Sequence, residues 1–142
     1  MDGANVEIHE LVGDDNSFIF GLSADGVNDY YQNGGYNPWD LYHSDARIHR
    51  VLDQLVNGFL TPDTEEFRDI FNAVTHHGDE YFVLKDFDAY VRAQERANQT
   101  YKNQDKWLEM SMINIARSGK FSSDRTIQEY SDQIWHLDPL TF

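Results

Sequence analysis

The sequence predicts a mainly α-helical chain with a few short strands, and three observations lead there. Polar caps and glycine stops bracket stretches of 3.6-residue apolar spacing along much of the chain. Two short apolar runs, SFIFG from Ser17 to Gly21 and YFVL from Tyr81 to Leu84, interrupt that pattern. The block INIARSGKFSSDRTIQEYSDQIW, Ile113 to Trp135, orders helix, glycine stop, double-serine start and helix within one short span.

The elements follow in order. MDGANVEIHE opens the chain at Met1 and reads as a chain cut from a longer protein in the middle of a sheet. SFIFG, bounded by GDDN and Gly21, predicts a buried strand. Any helix around Asp25 to Tyr31 is short, because Asn33, Gly34 and Gly35 make a glycine-rich turn before Pro38 restarts the chain. Asp45 caps a helix whose Ile48, Val51, Leu52 and Leu55 share a face, and Gly58 supplies its left-handed stop.

Thr61 as cap, Pro62 at the first helical position and Asp63, Glu65 and Glu66 in the first turn predict another helix, carrying Phe67, Ile70, Phe71 and Val74. YFVL is a second strand or an extended connector, and its length also admits a helix start. From Phe87, positions Tyr90, Val91, Gln94, Ala97 and Tyr101 form one face of a long helix that Asn103 breaks. A further helix carries Trp107, Met110, Ile113 and Ala116 and stops at Gly119. Ser122 or Ser123 then caps a final helix bearing Ile127, Tyr130, Ile134 and Trp135, with a loose tail over 136–142.

Composition bounds the function. A chain of 142 residues suits a single segment with a real core. Its 40% hydrophobic and 14% aromatic content opposes disorder despite a net charge of -14. That sign is wrong for gripping nucleic acid or anionic lipid over a broad face. With no cysteine there is neither a disulfide framework nor a thiolate metal site, and no apolar run approaches membrane-spanning length. The expectation is a soluble, cytoplasmic protein.

The motifs that invite chemistry fall short of it. SGKFSS lacks phosphate-loop spacing: Phe121 follows Lys120 where Ser or Thr is required, and no Gly stands five residues before Gly119. It reads first as a helix stop and start sharing one turn, and second as a small basic island of Arg117, Lys120 and Arg125 near backbone donors that could hold an anion. His76 and His77 are adjacent, so a helix would point them about 100° apart. His9 and Glu10 begin a HExxH-like string that ends at Gly13, and His43 with His49 lacks helical-pair spacing. Solvated or core-edge histidines are the expectation. Asp14, Asp15 and Asn16, like Asp79 and Glu80, lack the order of a calcium loop and read as turn residues. Helix carboxylates read as a solvated face rather than a glycosidase pair. Lys85, Lys102 and Lys106 lie in helices or at their edges among carboxylates and Lys120 in a turn, so none is a persuasive imine former.

Asp2–Ile8 (DGANVEI), Phe18–Gly21 (FIFG), Gln54–Asp63 (QLVNGFLTPD), the run from Ala89 to Tyr130 (AYVRAQ to IQEY) and DQIW together resemble the C-terminal part of α-glucan phosphorylases. The likeness spans Asp2 to Trp135, with DGANVE and ARSGKFSSDRTI its most specific portions. It implies a glycogen, starch or maltodextrin phosphorylase: inorganic phosphate attacks the non-reducing end of an α-1,4-glucan and releases glucose 1-phosphate with retention. It also implies a pyridoxal phosphate whose phosphate relays a proton, and a two-lobed glycosyltransferase (GT-B) fold. This chain would be the C-terminal part of the second Rossmann-like lobe, its last helix, from about Asp124 to Trp135, strapping back toward the first.

The family's cofactor lysine closes an EASGTGNMK segment shortly before DGANVE, and its phosphate-binding residues lie further upstream. Met1 stands directly before Asp2 here. The resemblance therefore places no catalytic, cofactor-binding or metal-binding residue in this sequence. It implies a scaffold segment that is inactive alone, with the missing upstream lobes as partners, and glucan, phosphate and pyridoxal phosphate belonging to the intact enzyme. Exposed strand edges would make the isolated chain self-associate unless its charge prevents it. The competing expectations are an acidic helical module binding a protein or glucan and, more weakly, a small metal enzyme using His76 and His77.

Overall fold

The structure, a computed structural model, describes residues 3–138. Eight α-helices carry the described chain: α1 (Ala4–Val12), α2 (Ala24–Asn33), α3 (Pro38–Ser44), α4 (Ala46–Val56), α5 (Arg68–Val74), α6 (Val83–Lys102), α7 (Gln104–Arg117) and α8 (Ser123–Glu129). A 3₁₀ turn spans Asp14–Asn16, another joins α7 to α8, and α8 runs on as a π-helical turn over Tyr130–Trp135. The mainly helical expectation holds, and no strand occurs among the described residues.

Local chemistry explains the boundaries. Asp45 accepts the Arg47 N–H at 2.8 Å to start α4, and Gly58, at φ 86°, turns the chain away after it. Asn103 both follows α6 and caps α7, its side chain accepting the Lys106 N–H at 3.2 Å. Ser122 caps α8 through the Arg125 N–H. Beyond α8, the Leu137 N–H donates to Ser131 O at 3.0 Å. Most of the expected tail, from 139 on, lies outside the described residues.

The main core gathers Ile48 and Leu52 of α4, Phe71 of α5 and Leu84 of α6. Trp39, Tyr42, Leu55, Val74 and Phe87 pack around them. Val51, expected on the inner face of α4, is exposed. On α6 the inner face is displaced from the expected one: Ala93 is buried, while Tyr90, Gln94 and Tyr101 face solvent. The long helix α6 carries this core at its start and supports α7 and the Ser17–Leu22 segment along the rest of its length.

Four expectations are corrected. Residues 4–12 of the opening block form α1 rather than interrupted sheet. Phe18–Gly21 is not a strand: no backbone-to-backbone hydrogen bond involves residues 17–21 among those described. Side chains serve this segment instead. Asn114 donates to Asn16 O at 2.9 Å, Arg96 to Ile19 O at 3.1 Å, and Asp86 accepts the Leu22 N–H at 2.8 Å. Tyr81–Leu84 is not a strand either, because Phe82 is left-handed at φ 56° and Val83 already begins α6. Thr61–Phe67 stays a series of turns, its polar side chains binding N–H groups two residues on, and helix α5 begins only at Arg68.

Candidate functional site

A groove of about 1000 Å³ runs between α6 and the limb that leads from α1 through Ile19. Arg92, Glu95, Arg96, Gln99 and Thr100, one polar face of α6, form one wall. The facing wall is His9 with Asp14, Asp15 and Ser17; Phe18 and Met110 supply the apolar part and Lys106 one end. Phe18 is fixed by stacking on Trp107, with ring centroids 6.2 Å apart. The sequence pattern puts Tyr90, Val91, Gln94, Ala97 and Tyr101 on the inner face of this helix and joins none of the groove's α6 residues to a site. Their spacing at 92, 95, 96 and 99 was the available signal, but the opposite wall arrives from some 80 residues away.

Most polar groups in the groove are engaged. His9 Nε2 lies 2.6 Å from Asp14 Oδ1, and the Ser17 hydroxyl donates to Gly13 O at 3.2 Å. Arg96 holds Ile19 O, and Lys106 pairs with Glu109 at 3.2 Å. Ser17 is therefore not an activated nucleophile, since its proton points to a carbonyl and not to a base. Arg92 and Glu95 engage no side chain or backbone group among the described residues. The arrangement offers hydrogen bonds of both polarities to a polar ligand and no nucleophile–base pair.

The other candidates are structural. Arg125 donates to Lys120 O and pairs with Glu129, so its charge is balanced within α8. Arg117 lines a small cavity with Ile8 and Phe121, leaving no island of three free cations. His43 stacks on Trp39, His49 on Tyr42 beside Asp53, and His76 meets Trp39 edge-on. These histidines edge the main core as expected, and no group of three or more His, Asp or Glu residues could hold a metal among the described residues. Asp79 differs from a simple turn residue. It is 2% exposed, accepts the Val83 and Leu84 N–H groups at 2.9 and 2.8 Å, and receives the Tyr36 hydroxyl at 2.5 Å.

Comparison with known proteins decides the family. A family model described as carbohydrate phosphorylase matches residues 1–137. The chain belongs to the carbohydrate phosphorylase family. The chain is 52% identical over 139 residues to glycogen phosphorylase of Bacillus subtilis (strain 168), covering 98% of itself and 17% of that relative. It is 43% identical over 141 residues to glycogen phosphorylase of Synechocystis, covering 99% of itself and 16% of the relative. Against the muscle form of glycogen phosphorylase from Rattus norvegicus it is 44% identical over 140 residues, covering 98% of itself and 16% of the relative. This phosphorylase-family chain thus spans about a sixth of the length of those relatives.

Pyridoxal phosphate, which the resemblance implies for the family, can be tested against the lysines of this chain. Lys85 lies over the Tyr30 ring at 5.5 Å, Lys102 donates to Gln99, Lys106 pairs with Glu109, and Lys120 sits on the exposed turn before α8. An imine-forming amine needs a desolvated pocket beside a phosphate cradle, and none of these four positions supplies both. The described residues do not fit the group.

Proposed function

We propose that this chain is a C-terminal scaffold segment of a pyridoxal-phosphate-dependent α-glucan phosphorylase, inactive by itself, in the second Rossmann-like lobe of a two-lobed GT-B enzyme in the cytoplasm. The observation that carries the reading is the family match over residues 1–137 combined with coverage of only 16–17% of the relatives. The engaged lysines and the groove without a nucleophile–base pair support it. In this reading the polypeptide preceding the segment supplies the cofactor amine, both phosphate sites and the glucan cleft. This segment supplies the packed helices that support them.

The test is phosphorolysis. Maltodextrin and inorganic phosphate are incubated with this chain alone, and with the chain co-expressed with the preceding polypeptide of the Bacillus subtilis relative. Glucose 1-phosphate is expected only from the second sample. Turnover by the chain alone overturns the proposal.

A second reading, an acidic helical module that binds a protein or glucan, is favoured by one observation: the groove along α6 with Arg92 and Glu95 uncommitted. Isothermal titration with maltoheptaose separates the two, since a scaffold segment gives no heat and a glucan module saturates.

A further inference from the structure

The sequence holds two Asn–Gly dipeptides, Asn33–Gly34 and Asn57–Gly58. In such a pair the glycine nitrogen can close a five-membered ring onto the asparagine side chain, because no Cβ obstructs it and the backbone turns freely. Local sequence thus offers the same chemistry twice. The fold treats the two copies differently.

Asn33 is the last residue of α2, and both of its reacting groups are engaged. The Gly34 N–H donates to Tyr30 O at 2.9 Å, and the Asn33 side-chain amide donates to Asp29 at 2.7 Å. The proton that must leave before attack is therefore held at the helix end.

Asn57 follows α4 and begins an exposed bend over 57–60. Among the described residues, no backbone-to-backbone hydrogen bond involves Gly58, Phe59 or Leu60, and no acceptor holds the Gly58 N–H. The Phe59 N–H donates to Asn57 Oδ1 at 3.0 Å. That donor sits on the oxygen that gains charge as the ring closes, which favours the reaction. Space is open as well: a Cβ at Gly58 would meet only Thr61 O, at 3.9 Å. Asn57 has ψ 7°, so ring closure needs a backbone rotation, and a bend with so few hydrogen bonds permits it.

We propose that Asn57–Gly58 is a site of spontaneous imide formation, converting Asn57 to isoaspartate and aspartate, while Asn33–Gly34 is protected. Base in the solvent takes the Gly58 amide proton, and the nitrogen attacks Asn57 Cγ. The Cγ–Nδ2 bond then breaks, and ammonia leaves with a proton from water. A second water molecule adds to either imide carbonyl and cleaves one C–N bond, giving the aspartyl or the isoaspartyl chain without any oxidant. The net exchange of a side-chain amide for a carboxylate adds one negative charge to a chain already at -14. In the isoaspartyl form the main chain gains a carbon between α4 and the exposed Phe59 and Leu60, so both side chains are re-aimed.

The test ages the purified chain in mildly alkaline water enriched in heavy oxygen, folded and unfolded in guanidinium chloride, and maps the products by peptide mass spectrometry. In the folded chain the Asn57 peptide should convert roughly tenfold faster than the Asn33 peptide, the factor that one hydrogen bond on the attacking nitrogen is worth. In guanidinium the two should convert at similar rates. Asn57→Gln should abolish the more acidic species seen by anion exchange, whereas Asn33→Gln should leave it in place. Conversion of Asn33 in the folded chain as fast as Asn57 overturns the proposal, and so does a folded chain in which neither converts. A tenfold gap that persists in guanidinium assigns the preference to flanking sequence and overturns it too.

Discussion

The Tyr36 hydroxyl donates to Asp79 Oδ2 at 2.5 Å, tying the loop after α2 to the start of α6. Asp79 also accepts the first two N–H groups of α6, so one carboxylate serves a helix N-terminus and a tertiary contact together. Burial first, and then the bond to Asp79, push the Tyr36 hydroxyl far above its ordinary pKa, so it stays a neutral donor.

Asp79→Ala removes all three bonds and leaves two helix N–H groups unpaired in a buried site. The expected loss is about 3 kcal/mol, read from urea unfolding of the purified chain. Tyr36→Phe removes one bond while Asp79 keeps its helix partners, and should cost about 1 kcal/mol. Equal losses for the two variants would show that Asp79 acts only through Tyr36.

Gly21→Ala meets two obstacles. Gly21 has φ 90°, and a Cβ there would lie 2.5 Å from Asp86 Oδ2, on the same carboxylate that holds the Leu22 N–H. The backbone strain alone is worth about 1–2 kcal/mol. The clash adds the loss of the Leu22 bond, so the variant should lose about 2–3 kcal/mol in the same unfolding measurement. A Gly34→Ala control, left-handed but with open space around its Cβ, should show the strain without the clash.

These contacts mark the limit of what was legible in the sequence. Caps and stops act within a few residues, so Asp45, Gly58 and Ser122 announced their helices. The Ser17–Gly21 run announced a strand because its side chains favour extended backbone, and the backbone is indeed not helical. Yet Arg96 holds Ile19 O within the run, and Asn114 and Asp86 hold its flanking residues Asn16 and Leu22, 64 to 98 residues distant from their backbone partners, which no local pattern reveals. YFVL admitted a strand, a connector or a helix start, and the residue that decides for the helix, Asp79, precedes the apolar run and turns Val83 into a helix start. The groove was hidden for the same reason, since its walls meet only in the fold.

Acid should loosen the start of α4 in a defined window. The bidentate Arg47 guanidinium is the chief cause that holds the Asp45 carboxyl down to about 2, below the ordinary range. A depressed carboxylate stabilises the fold above its unfolded pKa, near 3.9, and that contribution fades as pH falls through about 2. Carbon-detected NMR titration should place the Asp45 midpoint near the low value, and Arg47→Gln should return it toward the ordinary one. An unchanged midpoint in Arg47→Gln would assign the shift to the helix terminus instead.

The alkaline limb has the opposite sign. The bond to Asp53, at 2.5 Å, is the main reason the Tyr42 hydroxyl is pushed up to about 12. A raised pKa means stabilisation that is complete below the unfolded value, near 10, and lost as pH rises through about 12. Ultraviolet titration at the tyrosinate band should show two phenols, Tyr36 and Tyr42, ionising late, and Asp53→Asn should bring only Tyr42 back toward the other tyrosines.

Charge and apolar exposure oppose each other on this chain, and salt sets which prevails. A net charge of -14 repels other copies over the Debye length, about 10 Å at 0.1 M salt, whereas at 1 M the range shrinks to about 3 Å. The attraction between Leu108, Met112, Ile115, Ile127, Ile134 and Trp135, all exposed, is not screened in this way. Sedimentation velocity should therefore give a monomer at low salt and larger species at 1 M sodium chloride. Met112→Lys should shift the onset to higher salt by removing exposed apolar area. A single compact species at both salt concentrations would mean that these side chains are too dispersed to hold two copies together.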